Sequence, residues 1–215
     1  MSENPLVAIA KDVAGELGLS SGSAILAKVL KRRREQARDI LMERVRSGEI
    51  LMTTAEAEDE AVAMLFRYFR AANEGTARAS LRLMASALRG ELIQPHASAD
   101  AFQRWADILS SLSAVEIRLI AEMHNQQKRL LAVKQEDLET RILSAVRERM
   151  VGKGLPFETD EHLTLTLVAL TRTGLIVGES AWGGMVYRVS VLMDALVRLI
   201  GEEQFADDVA SSLRE

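Results

Sequence analysis

The spacing of its apolar residues constrains the fold of this chain more than any other feature. Apolar side chains recur every three or four positions over most of the sequence, which is the repeat of one face of an α-helix. Ala37, Leu41 and Val45 are an example within one long segment. The 215 residues include only three prolines, so little in the chain opposes helix formation. We therefore predict a mainly α protein built around a helical bundle.

Polar residues predict where several helices begin. Thr53 with Glu56, and Ser113 with Glu116, have the spacing of a capping box, in which each side chain accepts a hydrogen bond from the other residue's backbone N–H group. Further caps are expected at Ser98 or Asp100, at Thr159 and at Ser190.

Glycine and proline predict where helices end. Gly75 ends or kinks one helix, and Gly90 with Pro95 marks a loop after a helix that runs to about Leu88. The apolar repeat between residues 113 and 152 is long. We expect two helices there that meet near residues 134–137, although one continuous helix fits the same pattern.

The last quarter of the sequence differs because it contains segments typical of short strands. Leu175–Val177 and Met185–Val189 have this composition, and Ser180–Gly184 joins them as a hairpin loop. An apolar helix over Val191–Ile200 should follow the hairpin, and Gly201 should separate it from a short tail helix.

No catalytic or metal-binding motif stands out. The chain has no cysteine, which excludes disulfides, zinc–thiolate sites and a thiol nucleophile. His96, His124 and His162 lie far apart and lack the spacing of helix-borne metal ligands. Phosphate-binding glycine loops and the nucleophile motif of serine hydrolases are absent as well. We therefore expect no enzyme activity and no cofactor.

The distribution of charge and apolar residues predicts a soluble, cytoplasmic protein with no membrane partner. No apolar run approaches the roughly 20 residues that a membrane span needs. The first residues, Met1–Leu19, carry Asp12 and Glu16 within their apolar pattern, which is not typical of a signal peptide. The net charge of −4 gives no general electrostatic case for nucleic-acid binding.

One cluster of positive charge is nevertheless strong enough to name. The basic run consists of Lys28, Lys31, Arg32, Arg33, Arg34 and Arg38. On a helix, Lys31, Arg34 and Arg38 share one face. This face either is solvated and balanced by neighbouring acids, or contacts a nucleic acid or an acidic partner through Lys28, Lys31, Arg32, Arg34 and Arg38.

The order of elements near the C-terminus resembles the second half of a winged-helix domain. In that family a helix ends in a Gly-Leu-Ile turn that leads into a wing, and the returning strand delivers Tyr-x-Val-Ser or Tyr-x-Val-Thr into the next helix. The matching residues here are Gly174, Leu175, Ile176, Tyr187, Val189 and Ser190. The resemblance covers roughly the last third of the chain and implies a winged-helix-like module with one small hairpin.

A DNA-reading use of this module would involve Arg172 and Arg188, yet its charge opposes that use. The helix before the wing begins with Glu158, Asp160 and Glu161, where phosphates would approach. The wing itself has no basic residue and carries Trp182, which suits a protein contact or a buried position.

A second resemblance covers the middle of the chain. The segment from His96 to Phe102, with Ile-Leu-Ser-Ser-Leu-Ser ending at Ser113 and a helix carrying Glu116, is similar to the abortive-infection alpha family of bacterial helical proteins. This resemblance implies a bacterial protein connected with phage defence or prophage biology. It supplies no functional residues.

These observations predict three parts and two candidate functions. The parts are N-terminal helices in residues 1–50, which form a candidate oligomerisation arm, a central helical bundle in 51–134, and the winged-helix-like module in 135–215. We expect a non-enzymatic interaction or adaptor protein that contacts a protein partner or a second copy of itself. The alternative is a DNA-binding transcriptional regulator that uses the module or the basic run.

Overall fold

Nine α-helices and one two-stranded antiparallel hairpin form the described part of the computed structural model, which comprises residues 24–45, 55–132, 138–181 and 184–212. This content confirms the prediction of a mainly α fold with one small hairpin. The helices are α1 (Ala24–Val45), α2 (Ala55–Glu74), α3 (Arg78–Leu92), α4 (Ala99–Ser110), α5 (Ala114–Ala132), α6 (Leu138–Met150), α7 (Asp160–Leu170), α8 (Val191–Ile200) and α9 (Glu202–Ser212). The strands are β1 (Ile176–Ala181) and β2 (Gly184–Val189).

These elements form two compact units. The first extends as far as Leu112 and also includes Leu199–Ser212, while the second is Ser113–Arg198. The units do not test the predicted division into 1–50, 51–134 and 135–215, which stays a prediction. The capping box at Thr53 and the meeting point at residues 134–137 lie outside the described residues.

Helix α3 is the centre of the first unit. It packs against α1, α2, α4 and α9, and most of its side chains are buried. The large side chains around it include Tyr68, Phe69 and Phe102, all fully buried. The Tyr68 hydroxyl donates a hydrogen bond of 2.9 Å to the carbonyl oxygen of Ala37, so the phenol is buried with its polar atom satisfied.

The expectation that Gly90 marks a loop was wrong. Gly90 lies inside α3, which continues to Leu92, and it is buried. A Cβ atom added at this position would come within 2.3 Å of the Leu199 carbonyl oxygen. The glycine therefore allows a close backbone approach between α3 and Leu199, and it does not end a helix.

A buried ion pair joins the last helix to other helices of the first unit. Asp208 of α9 is 1% exposed. Its carboxylate accepts bonds from Arg44 Nη2 at 2.5 Å, from the Ser86 hydroxyl at 2.6 Å and from Gln204 Nε2 at 3.0 Å. Arg44 also contacts Glu43 at 3.1 Å. These bonds connect α9 to α1 and to α3.

The second unit is built on a pair of helices, α5 and α6, which pack against each other and against β2. Arg149 near the end of α6 forms a 2.7 Å ion pair with Glu122 near the middle of α5, so α6 folds back along α5. The expectation of two helices between residues 113 and 152 is thereby confirmed. Ile142, Val146 and Met150 form the buried face of α6.

The hairpin begins and ends at one hydrogen-bonded junction. Gly174 has a φ of +72°, as expected for a glycine that leaves a helix, and Leu175 and Ile176 are buried beyond it. The Ser190 hydroxyl donates to the Gly174 carbonyl at 2.5 Å and accepts from the Leu192 backbone at 3.1 Å. Ser190 therefore caps α8 as predicted and holds the two ends of the hairpin together.

Strand pairing runs from Ile176 opposite Val189 to Ala181 opposite Gly184. Both strands therefore extend further towards the turn than the sequence pattern predicts. The backbone N–H of Val189 donates to the Gln127 side chain at 3.0 Å, which fixes β2 against α5.

Replacing Asp208 with alanine should destabilise the protein strongly, because it removes the buried carboxylate that is paired with Arg44. We expect the free energy of unfolding, measured by urea titration, to fall by about 3 kcal/mol. The control Asp207→Ala changes an exposed carboxylate on the same helix and should cost less than about 0.5 kcal/mol. Equal losses in the two variants would contradict the role assigned to the ion pair.

Candidate protein interaction face

Helix α7 is apolar on two opposite sides. Leu163, Leu167 and Leu170 are buried in the second unit. Leu165 and Val168 point the other way and are 62% and 53% exposed. Single exposed apolar residues are ordinary on a protein surface, but these two lie three positions apart and are neighbours on the helix. They form the centre of the candidate interaction face.

The two ends of α7 carry opposite charges. Thr159 caps the helix by accepting a 3.2 Å bond from the His162 backbone, as predicted, and exposed Asp160 and Glu161 follow it. Asp160 forms a 3.2 Å ion pair with Arg147. Acids in the first turn suit the positive end of the helix dipole. Beyond the other end, Arg172 lies in a turn of 3-10 helix.

The carboxylate of Glu116 contacts Arg172. Glu116 Oε1 accepts a 3.0 Å bond from Arg172 Nη1, and Glu116 Oε2 accepts bonds from the Ser113 backbone at 2.8 Å and the Ser113 hydroxyl at 2.9 Å. The Glu116 backbone donates to the Ser113 hydroxyl at 3.3 Å, which completes the predicted capping box. Arg172 Nη1 also donates to the Ala169 carbonyl at 2.7 Å.

The same contacts set the pKa of Glu116. Partial burial raises the pKa of this carboxyl, but the hydrogen bonds from Ser113 and the Arg172 guanidinium outweigh it and leave the pKa below its usual value. Glu116 is thus stabilised in its charged form, which is the form that holds Arg172.

The second arginine predicted in this module is paired with an acid as well. Arg188 on β2 forms a 2.7 Å ion pair with Glu179 on β1. Trp182 lies outside the described residues. Arg172 and Arg188 are therefore both engaged with carboxylates of their own unit, which reduces the positive charge that this unit offers to phosphates.

The basic run lies on the N-terminal two-thirds of α1 in the first unit. Lys28, Lys31, Arg32 and Arg38 are exposed, and Arg34 is half-buried. Arg33 has a structural role, because its Nη1 donates to the Asn73 carbonyl at 3.1 Å near the end of α2. Lys31 contacts Glu35 at 3.9 Å, and Arg38 contacts Asp39 at 3.2 Å.

A cleft of about 340 Å³ lies beside the basic run, between α1 and α3. It is lined by Arg32, Glu35, Gln36, Asp39, Ile40, Glu43, Arg78 and Arg82. Three arginines thus face three carboxylates, and Arg82 lies 3.8 Å from Glu43. Arg32 and all three carboxylates belong to α1, while Arg78 and Arg82 belong to α3, so acids border the basic run on this side.

Two of the histidines have different neighbours. His124 lies 3.9 Å from Asp194, and His162 stacks edge-on against Phe157 with ring centroids 5.2 Å apart. Within the residues that the structure describes, no group of three or more His, Asp or Glu side chains could hold a metal ion. The expectation that the chain is not an enzyme stays a prediction.

None of the helices described in residues 24–212 is long and apolar enough to cross a membrane.

The sequence interpretation missed Leu165 and Val168. A helical projection places Leu165 and Val168 on the side opposite Leu163 and Leu167, but the spacing alone does not say which of the two apolar sides is buried.

Comparison of the chain with protein-family models, with curated proteins and with solved structures gives no match. The resemblances to winged-helix domains and to the abortive-infection alpha family therefore stay predictions.

Replacing Glu116 with glutamine should destabilise the protein at pH 7 by about 1–2 kcal/mol, because charge-assisted hydrogen bonds are lost. The folded-state pKa of Glu116 lies below the usual 4.5, so its stabilising contribution is complete above pH 4.5 and is lost as the pH falls through the folded-state pKa. Urea unfolding at pH 7 and at about pH 3 should show the difference between wild type and variant shrinking in acid.

The matched control for this pH test is Glu148→Gln, which changes an exposed carboxylate on α6. Its effect on the free energy of unfolding should stay small at both pH values. A Glu116→Gln effect that is as large in acid as at neutral pH would show that the charge of Glu116 is not what stabilises the unit.

Proposed function

We propose that the protein is a non-enzymatic helical interaction protein and that it contacts a protein partner through the outer face of α7. The observation that carries this proposal is the exposure of Leu165 and Val168 side by side on a helix whose other face is buried. Fully burying a leucine or valine side chain is worth about 1.5–3 kcal/mol, so a partner that covers both gains a substantial part of its binding energy there.

The charges around this face support a protein partner over DNA. Three acids, Glu158, Asp160 and Glu161, are exposed where α7 begins. Phosphate contacts dominate the affinity of proteins for DNA, and acids at the start of a reading helix oppose them. A winged-helix-like fold is compatible with protein contact, since a fold alone does not fix the function.

Site-specific photo-crosslinking tests this proposal. The full chain carries a benzophenone amino acid at position 165 and is expressed at its native level in its own cells. We expect an adduct with a specific polypeptide, identified by mass, because the probe lies within the contact. The control places the same probe at Arg104, an exposed position on α4 of the first unit. No adduct, or the same adducts at both positions, contradicts the proposal.

The alternative function, DNA binding by a transcriptional regulator, is favoured by one observation. Lys28, Lys31, Arg32 and Arg38 are all exposed on α1, within three turns of one helix. The basic run is able to contact a phosphate backbone, although the acids of the neighbouring cleft oppose the approach of DNA.

Fluorescence anisotropy of labelled duplex DNA separates the two functions. We expect no saturable binding between about 50 and 200 mM salt, because the paired arginines and the bordering acids leave little positive field. Binding that weakens steeply with salt, is lost in Lys31→Glu/Arg38→Glu and is kept in the control Lys153→Glu would instead establish the regulator function.

A further inference from the structure

Four exposed residues form a straight stripe along α7 and the turn that follows it. They are Glu161, Leu165, Val168 and Arg172, with successive spacings of four, three and four residues. Arg172 lies in the 3-10 turn Thr171–Thr173 that follows the helix. At 100° per residue the three positions within α7 fall within an arc of about 60°. This is the spacing of a coiled-coil seam, and it lies opposite the buried Leu163, Leu167 and Leu170.

The stripe of one copy is complementary to the stripe of a second copy that runs in the opposite direction. In an antiparallel pair of these helices centred between residues 166 and 167, Leu165 lies opposite Val168 of the second copy, and Glu161 lies opposite Arg172 of the second copy. The apolar residues then meet in the middle, and an acid meets a base at each end. We propose that two copies of this chain pair in this way, through an antiparallel, two-fold symmetric contact of α7.

This inference rests on the proposed function and names its partner. A two-fold contact requires one surface patch to be complementary to itself, and the reversal of charge along the stripe provides that. A parallel arrangement would place Glu161 beside Glu161 and Arg172 beside Arg172 of the second copy, which like charges oppose. The antiparallel arrangement also sets the positive end of each helix dipole beside the negative end of the other.

The residues beside the stripe fit a close approach. Thr164 and Ala169 are exposed, flank the apolar centre and lie opposite each other in the same register. The Thr164 hydroxyl donates to the Asp160 carbonyl at 2.8 Å, so it is satisfied within its own helix and covering it leaves no unpaired donor.

The position of Arg172 is fixed before pairing. Glu116 and the Ala169 carbonyl hold its guanidinium at the end of the stripe, while its side chain remains 47% exposed. Less side-chain entropy is then lost when Glu161 of a second copy contacts it. Glu116, which closes the capping box of α5, therefore also positions Arg172 for the dimer contact.

The contact should be weak, because a single helix of 11 residues covers less than the roughly 1,200–2,000 Å² of a standard interface. Sedimentation equilibrium of the purified full chain between about 1 and 300 µM should show a monomer–dimer equilibrium with a Kd on the order of 10–100 µM. Leu165→Glu should raise the Kd by at least about tenfold, because it places a charge in the apolar centre.

Leu131→Glu is the matched control, since Leu131 is 56% exposed on α5 and lies outside the stripe. It should leave the Kd unchanged. A wild-type chain that stays monomeric over the whole concentration range overturns the inference, and so does equal weakening by both substitutions.

Disulfide trapping tests the register, because the natural chain has no cysteine to interfere. Leu165→Cys and Val168→Cys variants are mixed under mild oxidation. We expect the mixed disulfide between positions 165 and 168 to form several-fold faster than either homodimeric disulfide. Faster homodimeric disulfides, or rates no higher than for a Glu148→Cys control, overturn the antiparallel pairing.

The two proposals can fail separately. If the photo-probe at position 165 captures a different polypeptide and the chain is monomeric, the interaction function stands and the self-pairing is wrong. If the probe captures nothing, the proposed function itself fails.

Discussion

The second unit depends on the carboxylate of Glu116. This group closes the capping box of α5 through Ser113, and its other oxygen holds Arg172 at the end of α7. Two elements that are distant in sequence therefore share one charge. These hydrogen bonds favour the ionised form of Glu116. Their effect outweighs that of partial burial, so the pKa of Glu116 is lowered. The orientation of α7, and hence of its outer face, follows from this junction together with the burial of Leu163, Leu167 and Leu170.

Local sequence signals predicted where three of the helices begin, and did so for a physical reason. A cap is formed by residues three positions apart, so Ser113–Glu116, Thr159 and Ser190 could be recognised without knowing the fold. The turn at Gly174 was also predictable from local sequence, because a residue with positive φ is usually a glycine. The mainly α class could be predicted because apolar residues recur every three or four positions over most of the chain.

What the sequence could not predict depends on contacts between distant residues. Gly90 resembles a helix terminator until Leu199 is found against its backbone. Arg33 resembles the rest of the basic run until its guanidinium is found on the Asn73 carbonyl. Arg172 and Arg188 resembled phosphate contacts, and only the structure shows that Glu116 and Glu179 engage them. The candidate face was missed because α7 contains apolar residues all round, so spacing alone does not say which side is buried.

The composition of α7 explains why its outer face suits a protein contact. After His162 the helix contains only leucine, threonine, valine and alanine. When one side of such a helix is buried, the other side remains apolar, and the polar atoms of Thr164 and Thr166 turn back to backbone carbonyls. The nearby arginines are already bound to carboxylates of the same unit. An exposed surface that has apolar side chains to cover, and arginines that carboxylates already engage, is better matched by another helix than by a nucleic acid.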